Sequence, residues 1–201
     1  MKVAPFVSAF ENSFAEHSHL SPWEITSSLT EIVLSLLKSC KDDFNIQNGI
    51  AVHKTATIEE GAIIKAPAII GPKCFIAAHA YLRGGVFLGQ GVTIGPGCEV
   101  KSSIIFDHSS LAHFNFVGDS IIGSNVNFEA GSVIANHNNE RPDKQIRVLH
   151  QSRVVETGST KFGALVGDNC KVGANAVLSP GTVLEKNKVV KRLELVEQVI
   201  E

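Results

Sequence analysis

From Val52 onward an aliphatic or aromatic residue recurs at every sixth position: Val52, Ile58, Ile64, Ile70, Ile76, Leu82, Leu88, Ile94, Val100 and Phe106. Four places after each stands a small or branched residue, in the run Ala56, Ala62, Ala68, Cys74, Ala80, Val86, Val92, Cys98, Ile104, Ser110. Turn formers fall between them, as in IIGPKC and TIGPGC. A helix repeats every 3.6 residues and a strand alternates every second residue, so neither produces this spacing. A period of six predicts a parallel β-helix, in which three six-residue units close one triangular coil and residues eighteen apart stack on one face. The large aliphatic fills the prism and the small residue sits where the backbone turns. Each coil buries its apolar stack only against its neighbours, so stability accumulates along the array.

The frame slips after Ala112, resumes at Phe116, Ile122, Phe128 and Ile134, breaks, and returns at Val166, Val172, Leu178 and Leu184. The break is long and polar and contains Pro142, so residues 137–162 are expected as a loop extruded from the solenoid. A long insertion in a compact repeat is usually functional or disordered, and both readings stand here. Ahead of the repeat, Ser21-Pro22-Trp23-Glu24 reads as a capping box with proline at the first helical position. Leu20 and Ile25 are placed for a hydrophobic staple, and Ile25, Leu29, Ile32, Val33, Leu36 and Leu37 form one stripe, predicting a helix over 21–39. That helix is expected to dock on the first coil as a cap. Val190, Leu193, Val196, Val199 and Ile200 predict a second helix at the C-terminus. The expected organisation is a helical cap over 1–48, a left-handed β-helix over 49–185 and a C-terminal helix over 186–201.

Composition narrows the function. The chain has 201 residues, 44% of them apolar, and a net charge of −2. A basic face for phosphate backbones is missing, which argues against nucleic-acid binding. No apolar run is long enough for a bilayer, and MKVAPFVSAFENSF lacks a secretory pattern, so a cytoplasmic protein without membrane contact is expected. Cys40, Cys74, Cys98 and Cys170 are far apart with no CxxC pair and are expected as reduced, buried small residues.

A solenoid core carries no chemistry of its own, so the polar residues interrupting the repeat are the candidates. Arg83 and Lys101 are eighteen apart and should stack on one face. Two stacked cations repel without a ligand, which favours an anion clamp, and arginine suits phosphate. Gly84-Gly85 leaves room for close approach. His113 lies where the frame slips, and His108 stands five positions before it. The two could be metal ligands lacking a third, or solvated imidazoles. Asn127 and Asn136 can donate and accept as sugar hydroxyls or an amide require, or simply tolerate a left-handed corner.

Residues 50–136 resemble the acetyltransferase domain of the bifunctional glucosamine-1-phosphate acetyltransferase/uridylyltransferases. The matching segments are YLRGG, then CEVK, then LAHFNFVGDSIIGSNVNFEAGSVIAN, with TKFGALVGDN after the insertion. The resemblance implies His113 as catalytic base, with Glu99 near it to orient it, and Asn136 close to the acetyl group and the substrate amine. It implies Arg83 and Lys101 at the sugar phosphate, Asn127 at the sugar, and Lys161 at another substrate contact. Phe116 replaces a substrate-binding tyrosine, His137 another tyrosine, and Ala174 a serine beside the coenzyme; Val172 is expected to border the coenzyme as well. No counterpart of the family's nucleotidyltransferase domain is read in the chain, so UDP-sugar synthesis is not expected of it.

The expected activity is acetyl-CoA-dependent N-acetylation of an amino-sugar phosphate in nucleotide-sugar biosynthesis. Acetyl-CoA serves as cosubstrate, no cofactor is tightly bound, and no metal is required. A homotrimer with sites in the grooves between prisms is implied. Two other readings remain: a zinc β-helix hydratase like the γ-class carbonic anhydrases, and a catalytically silent β-helix used for binding or regulation. Against the hydratase, Arg83 is followed by Gly-Gly rather than Gly-Asp.

Overall fold

The period of six folds into short parallel strands, each paired with its counterpart one coil further on. A computed structural model describes residues 1–199; Ile200 and Glu201, the last positions of the expected C-terminal helix, lie outside the described residues. One face of the prism runs through Thr57–Ile58, Phe75–Ile76, Thr93–Ile94, Ser110–Leu111, Asn127–Phe128, Lys171–Val172 and Val189–Val190. A second runs through Ile63–Ile64, the first halves of Tyr81–Leu88 and Glu99–Ile105, then Phe116–Gly118, Val133–Ile134, Val177–Leu178 and Leu195–Val196. The third runs through Ile50–His53, Ala68–Ile70, the second halves of the two long strands, Ile121–Ile122, Ala164–Val166 and Thr182–Leu184. Among the described residues no helix is long and apolar enough to cross a membrane.

The coils change length partway along. Arg83 pairs with Lys101, 18 residues on, but Thr93 pairs with Ser110 and Phe116 with Val133, each 17 residues on. One residue is dropped opposite Gly84-Gly85, where the register shifts between Arg83 and Val86. The sequence frame is therefore corrected by one position: Ile105 and Val117 fill the prism, and Phe106 and Phe116 do not. Inward serines complete the shortened corners. The Ser103 hydroxyl donates to the Lys101 carbonyl (2.7 Å) and accepts from the Ser120 N–H (3.0 Å). Ser109 does the same between Gly123 and Val126, and Ser120 between Gly118 and Ala164. Each hydroxyl takes a backbone N–H from the next coil that would otherwise be buried unpaired, a loss of about 1–3 kcal/mol.

The third face is apolar on both sides. Ala51, Ile69, Phe87, Ile104, Ile121, Leu165 and Val183 point away from the prism into a second core. The N-terminal segment covers them with Val3, Phe6, Val7, the helices α1 (Phe10–Phe14), α2 (Pro22–Ser27) and α3 (Leu29–Leu37), and the buried side chains of Trp23, Ile25, Leu29 and Val33. The capping box forms as predicted, with the Ser21 N–H and hydroxyl both on the Glu24 carboxylate. The single helix expected over 21–39 is corrected to two, because Ser28 turns the chain at φ −101°, ψ 12°. Its expected place over the first coil is corrected as well: α3 lies along the flank. A side chain at Gly85 (φ +85°) would meet the Thr30 nitrogen at 2.9 Å, so the close approach this glycine permits is that of a helix. On the third face the open edge of the first coil is instead closed by Phe44–Gln47, which pairs antiparallel with Ile50–His53. Asp168 ties the N-terminal segment down, accepting from the Ser8 and Ser124 N–H groups, both at 2.9 Å.

The expected C-terminal helix is corrected to further coils. Val190 and Val196 continue the inward series six residues apart, in strands parallel to Lys171–Val172 and Val177–Leu178. Leu193 adopts φ +62°, which no α-helix tolerates. The inserted segment folds into an antiparallel hairpin, Arg147–His150 with Arg153–Glu156, turned by Gln151 and Ser152. Its Ile146 and Val148, with Phe162 after it, are buried in the second core.

Candidate active site

The second face of the prism is left uncovered by the described residues, and three of the candidate polar residues, Arg83, Lys101 and Asn136, gather along one of its edges. Arg83, Lys101 and Gly118 lie side by side in register on successive coils, as the spacing predicted for the two cations. The repulsion expected between bare cations is absent, because each holds a carboxylate. Arg83 donates to Glu99 through Nε (2.8 Å) and Nη2 (2.7 Å), and its guanidinium lies 5.8 Å from the Tyr81 ring centre. Lys101 donates to Asp119 at 2.6 Å. Glu99 is thus engaged by Arg83, and no hydrogen bond joins it to His113 among the described residues. Among the described residues the remaining N–H groups of Arg83 and Lys101 have no partner and suit an incoming anion.

Asp119 is the residue the sequence reading missed. Its side chain is only 9% exposed, and its Oδ2 accepts from both Lys101 and the Asn136 amide. Its backbone, at φ +47°, forms the corner between the second and third faces. The Asp119 N–H donates to the Lys101 carbonyl, and its own carbonyl accepts from Gly163. Counting did not reveal it, because the coil here is seventeen residues long and the register partner of Lys101 is Gly118, with Asp119 one place beyond. Gly118 keeps the floor of this cluster low: a Cβ there would lie 2.7 Å from Asn136 Nδ2 and 2.8 Å from the Phe116 ring.

The inserted segment rejoins the coil at the same place. Phe162 donates its N–H to the Asn136 carbonyl (3.2 Å), which brings Lys161 beside the cluster. His137 Nδ1 lies 3.1 Å from the Thr160 carbonyl, closing the neck of the insertion.

His113 sits at the opposite edge of the second face, on the exposed corner between Ser110–Leu111 and Phe116–Gly118. Its carbonyl accepts from Gly131, and the imidazole makes no bond to the described residues. Beside it Phe114, at φ +52° and 72% exposed, lays its ring over Gly97. His108 lies against Gly91, at the corner before Ser110–Leu111, whereas His113 lies at the corner after it. The two histidines are therefore not paired on one corner, and no three His, Cys, Asp or Glu side chains among the described residues are grouped to hold a metal.

Asn127 is exposed on the first face, between Ser110 and Lys171. It borders a cleft of about 490 Å³ with Glu129, Lys171 and Arg192. Arg192 grips Glu129 through two contacts of 2.7 Å, and the Ala174 N–H donates to the same carboxylate at 2.8 Å. Arg192 chiefly, with that N–H, holds the Glu129 carboxyl down at about 2. Val172 packs its side chain inward at 1% exposure, while its strand borders the same cleft.

The family model described as the hexapeptide repeat of succinyl-transferase matches residues 67–101 and 163–191. The chain is 37% identical over 83 residues to a bifunctional sugar-1-phosphate nucleotidylyltransferase/acetyltransferase of Sulfurisphaera tokodaii, covering 41% of this chain and 20% of that protein. It is 37% identical over 103 residues to the bifunctional protein GlmU of Methanocaldococcus jannaschii, covering 51% of this chain and 24% of the relative. The chain thus spans about a quarter or less of these curated relatives. Among solved structures, LpxA, a UDP-N-acetylglucosamine acyltransferase from Bacteroides fragilis, aligns at 17% identity and a TM-score of 0.45, over 73% of this chain and 60% of that one.

Proposed function

We propose that this hexapeptide-repeat chain transfers an acyl group, acetyl in the first instance, from coenzyme A to the amine of an amino-sugar phosphate. The observation that carries the reading is the in-register column Arg83, Lys101, Gly118 on one uncovered face. Within one chain His113 stands at the far edge of that face and the Asp119–Asn136 pair at the near one, so the reading needs a second copy that brings the His113 edge of one prism to the Asn136 edge of another. Similarity to bifunctional sugar-1-phosphate enzymes with an acetyltransferase half supports the same chemistry.

In this reading the amine lone pair attacks the thioester carbonyl carbon. The amide C–N bond forms, the C–S bond breaks, and the coenzyme leaves as a thiol. The amine must shed a proton, and His113 takes it; an imidazole exchanges protons near neutral pH. The proton then passes to the departing sulfur, so the base is regenerated. A positioned base contributes about 10²–10⁴-fold. Arg83 and Lys101 hold the phosphate with donors not used by Glu99 and Asp119, which keep both cations extended before substrate arrives. Lys161 adds charge from the neck of the insertion, and Asn127 contacts the sugar. The coenzyme lies toward the later coils beside Ala174, whose N–H is presently taken by Glu129. A homotrimer would set the bare second face of one prism against a neighbour and enclose the site.

Thiol release from acetyl-CoA is the test, measured against a panel of sugar phosphates beginning with glucosamine-1-phosphate. Turnover restricted to amino-sugar phosphates is expected. No thiol release with any amine acceptor rejects the reading.

A further inference from the structure

The Asp119 carboxylate determines which end of the Asn136 amide is turned toward it and which is left for a ligand. Asp119 is acceptor-only when ionised, and it lies against Asn136 on one side and the Lys101 ammonium on the other. Only the NH2 end of Asn136 can face it, because the carbonyl end would set two acceptors against each other. The Asn136 Oδ1 is therefore turned away from Asp119. The backbone carbonyl of Asn136 is occupied by Phe162, and the side-chain Oδ1 has no partner among the described residues. At this edge of the second face that oxygen offers an acceptor.

We infer that Asp119 is a positioning residue that fixes Asn136 with Oδ1 toward the substrate, where it accepts from the N–H of the attacking amine. An acceptor in that place cannot stabilise the oxyanion of the tetrahedral intermediate, which needs donors. Its work is to orient the amine so that the lone pair points at the thioester. The same carboxylate anchors Lys101, so one group spaces a cation and a hydrogen-bond acceptor at a set distance. That pair matches a substrate carrying an anion and an N–H donor. The inference rests on the acyl-transfer reading above.

The test is a double-mutant cycle on the full chain with acetyl-CoA and glucosamine-1-phosphate, using Asp119→Ala, Asn136→Ala and the pair. If Asp119 acts through Asn136, each single change lowers kcat by about 100-fold, as for misplaced reacting groups. The pair is then no worse than Asn136→Ala within about threefold, because coupled residues are non-additive. The KM for acetyl-CoA stays unchanged. Asp119→Asn, whose own carbonyl can still accept from Asn136, keeps more kcat than Asp119→Ala. It also carries the cycle should the alanine variant fail to fold. Multiplicative losses, or equal losses in Asp119→Asn and Asp119→Ala, overturn the inference while leaving acyl transfer intact. Absence of turnover in the unmutated chain overturns both, and is distinguished by occurring before any substitution.

Discussion

Phe162, where the insertion rejoins the coil, packs edge-on against Trp23 of the N-terminal segment, with ring centres 6.0 Å apart and planes at 73°. Phe162 is wholly buried. The contact joins two additions to the solenoid to each other as well as to the third face. Phe162→Ala is expected to cost about 3–5 kcal/mol, as for large aromatic deletions in a packed core. Trp23 is the single tryptophan, so its fluorescence reports the transition directly in a urea titration. A shift below about 1 kcal/mol would show that the insertion is not part of the second core.

His113→Ala is expected to lower kcat for acetyl transfer by about 10²–10⁴-fold with the thermal midpoint unchanged, since the imidazole bonds nothing in the described chain. Arg83→Ala should act mainly on KM for the phosphorylated sugar. Steady-state kinetics with sugar phosphate varied at saturating acetyl-CoA separates the two. Unaltered turnover by His113→Ala removes it from the chemistry, and an unaltered KM in Arg83→Ala rejects the clamp.

The cysteines differ in accessibility. Burial pushes the Cys74 thiol up to about 11 and raises Cys98 and Cys170, and all three are buried in the prism. Burial also raises Cys40, but that thiol is only partly buried and lines a cleft of about 700 Å³ beneath α3 and the N-terminal turns. A thiol reagent at pH 8 should label one cysteine in the native protein, mapped to Cys40 by mass spectrometry, and all four only in denaturant. Native labelling of Cys74, Cys98 or Cys170 would contradict the closed prism.

Acid should loosen the N-terminal cover. Burial disfavours the ionised Asp168 carboxyl, yet hydrogen bonds from the Ser8 and Ser124 N–H groups outweigh it, with Lys186 nearby, and hold it below the usual carboxylate range. A group lowered on folding stabilises fully above its unfolded pKa, about 3.9 for aspartate, and loses that contribution as pH falls through the folded value. The gap in thermal midpoint between the unmutated chain and Asp168→Asn should therefore narrow below about pH 4. A gap that stays constant from pH 6 to pH 2 would disprove the role of the charge.

The prism itself was legible because inward aliphatics six apart have no helical or simple strand counterpart. Its frame was misread after Lys101 because an inward serine looks like any polar corner. The strand pairings seventeen residues apart, beginning with Val86 and Ser103, reveal the dropped residue. Val190, Leu193 and Val196 suit a helix as well as a coil when read alone, and a period of six cannot be told from near-multiples of three over so few residues. The cover on the third face left a trace in apolar doublets such as Ile69-Ile70, Ile104-Ile105 and Ile121-Ile122, where one side of a strand should have been polar. Of the candidate site, the stacking of Arg83 and Lys101 followed from counting. Their carboxylate partners did not, because Asp119 reaches Lys101 from a neighbouring coil and no local motif pairs them.

Cladding one flank of a three-sided column has a directional effect. Whatever approaches this molecule, a cosubstrate or a twin, finds bare rungs of ladder on two sides only. The remaining side answers with helix and hairpin, so the column has a back, and its traffic is confined to the front.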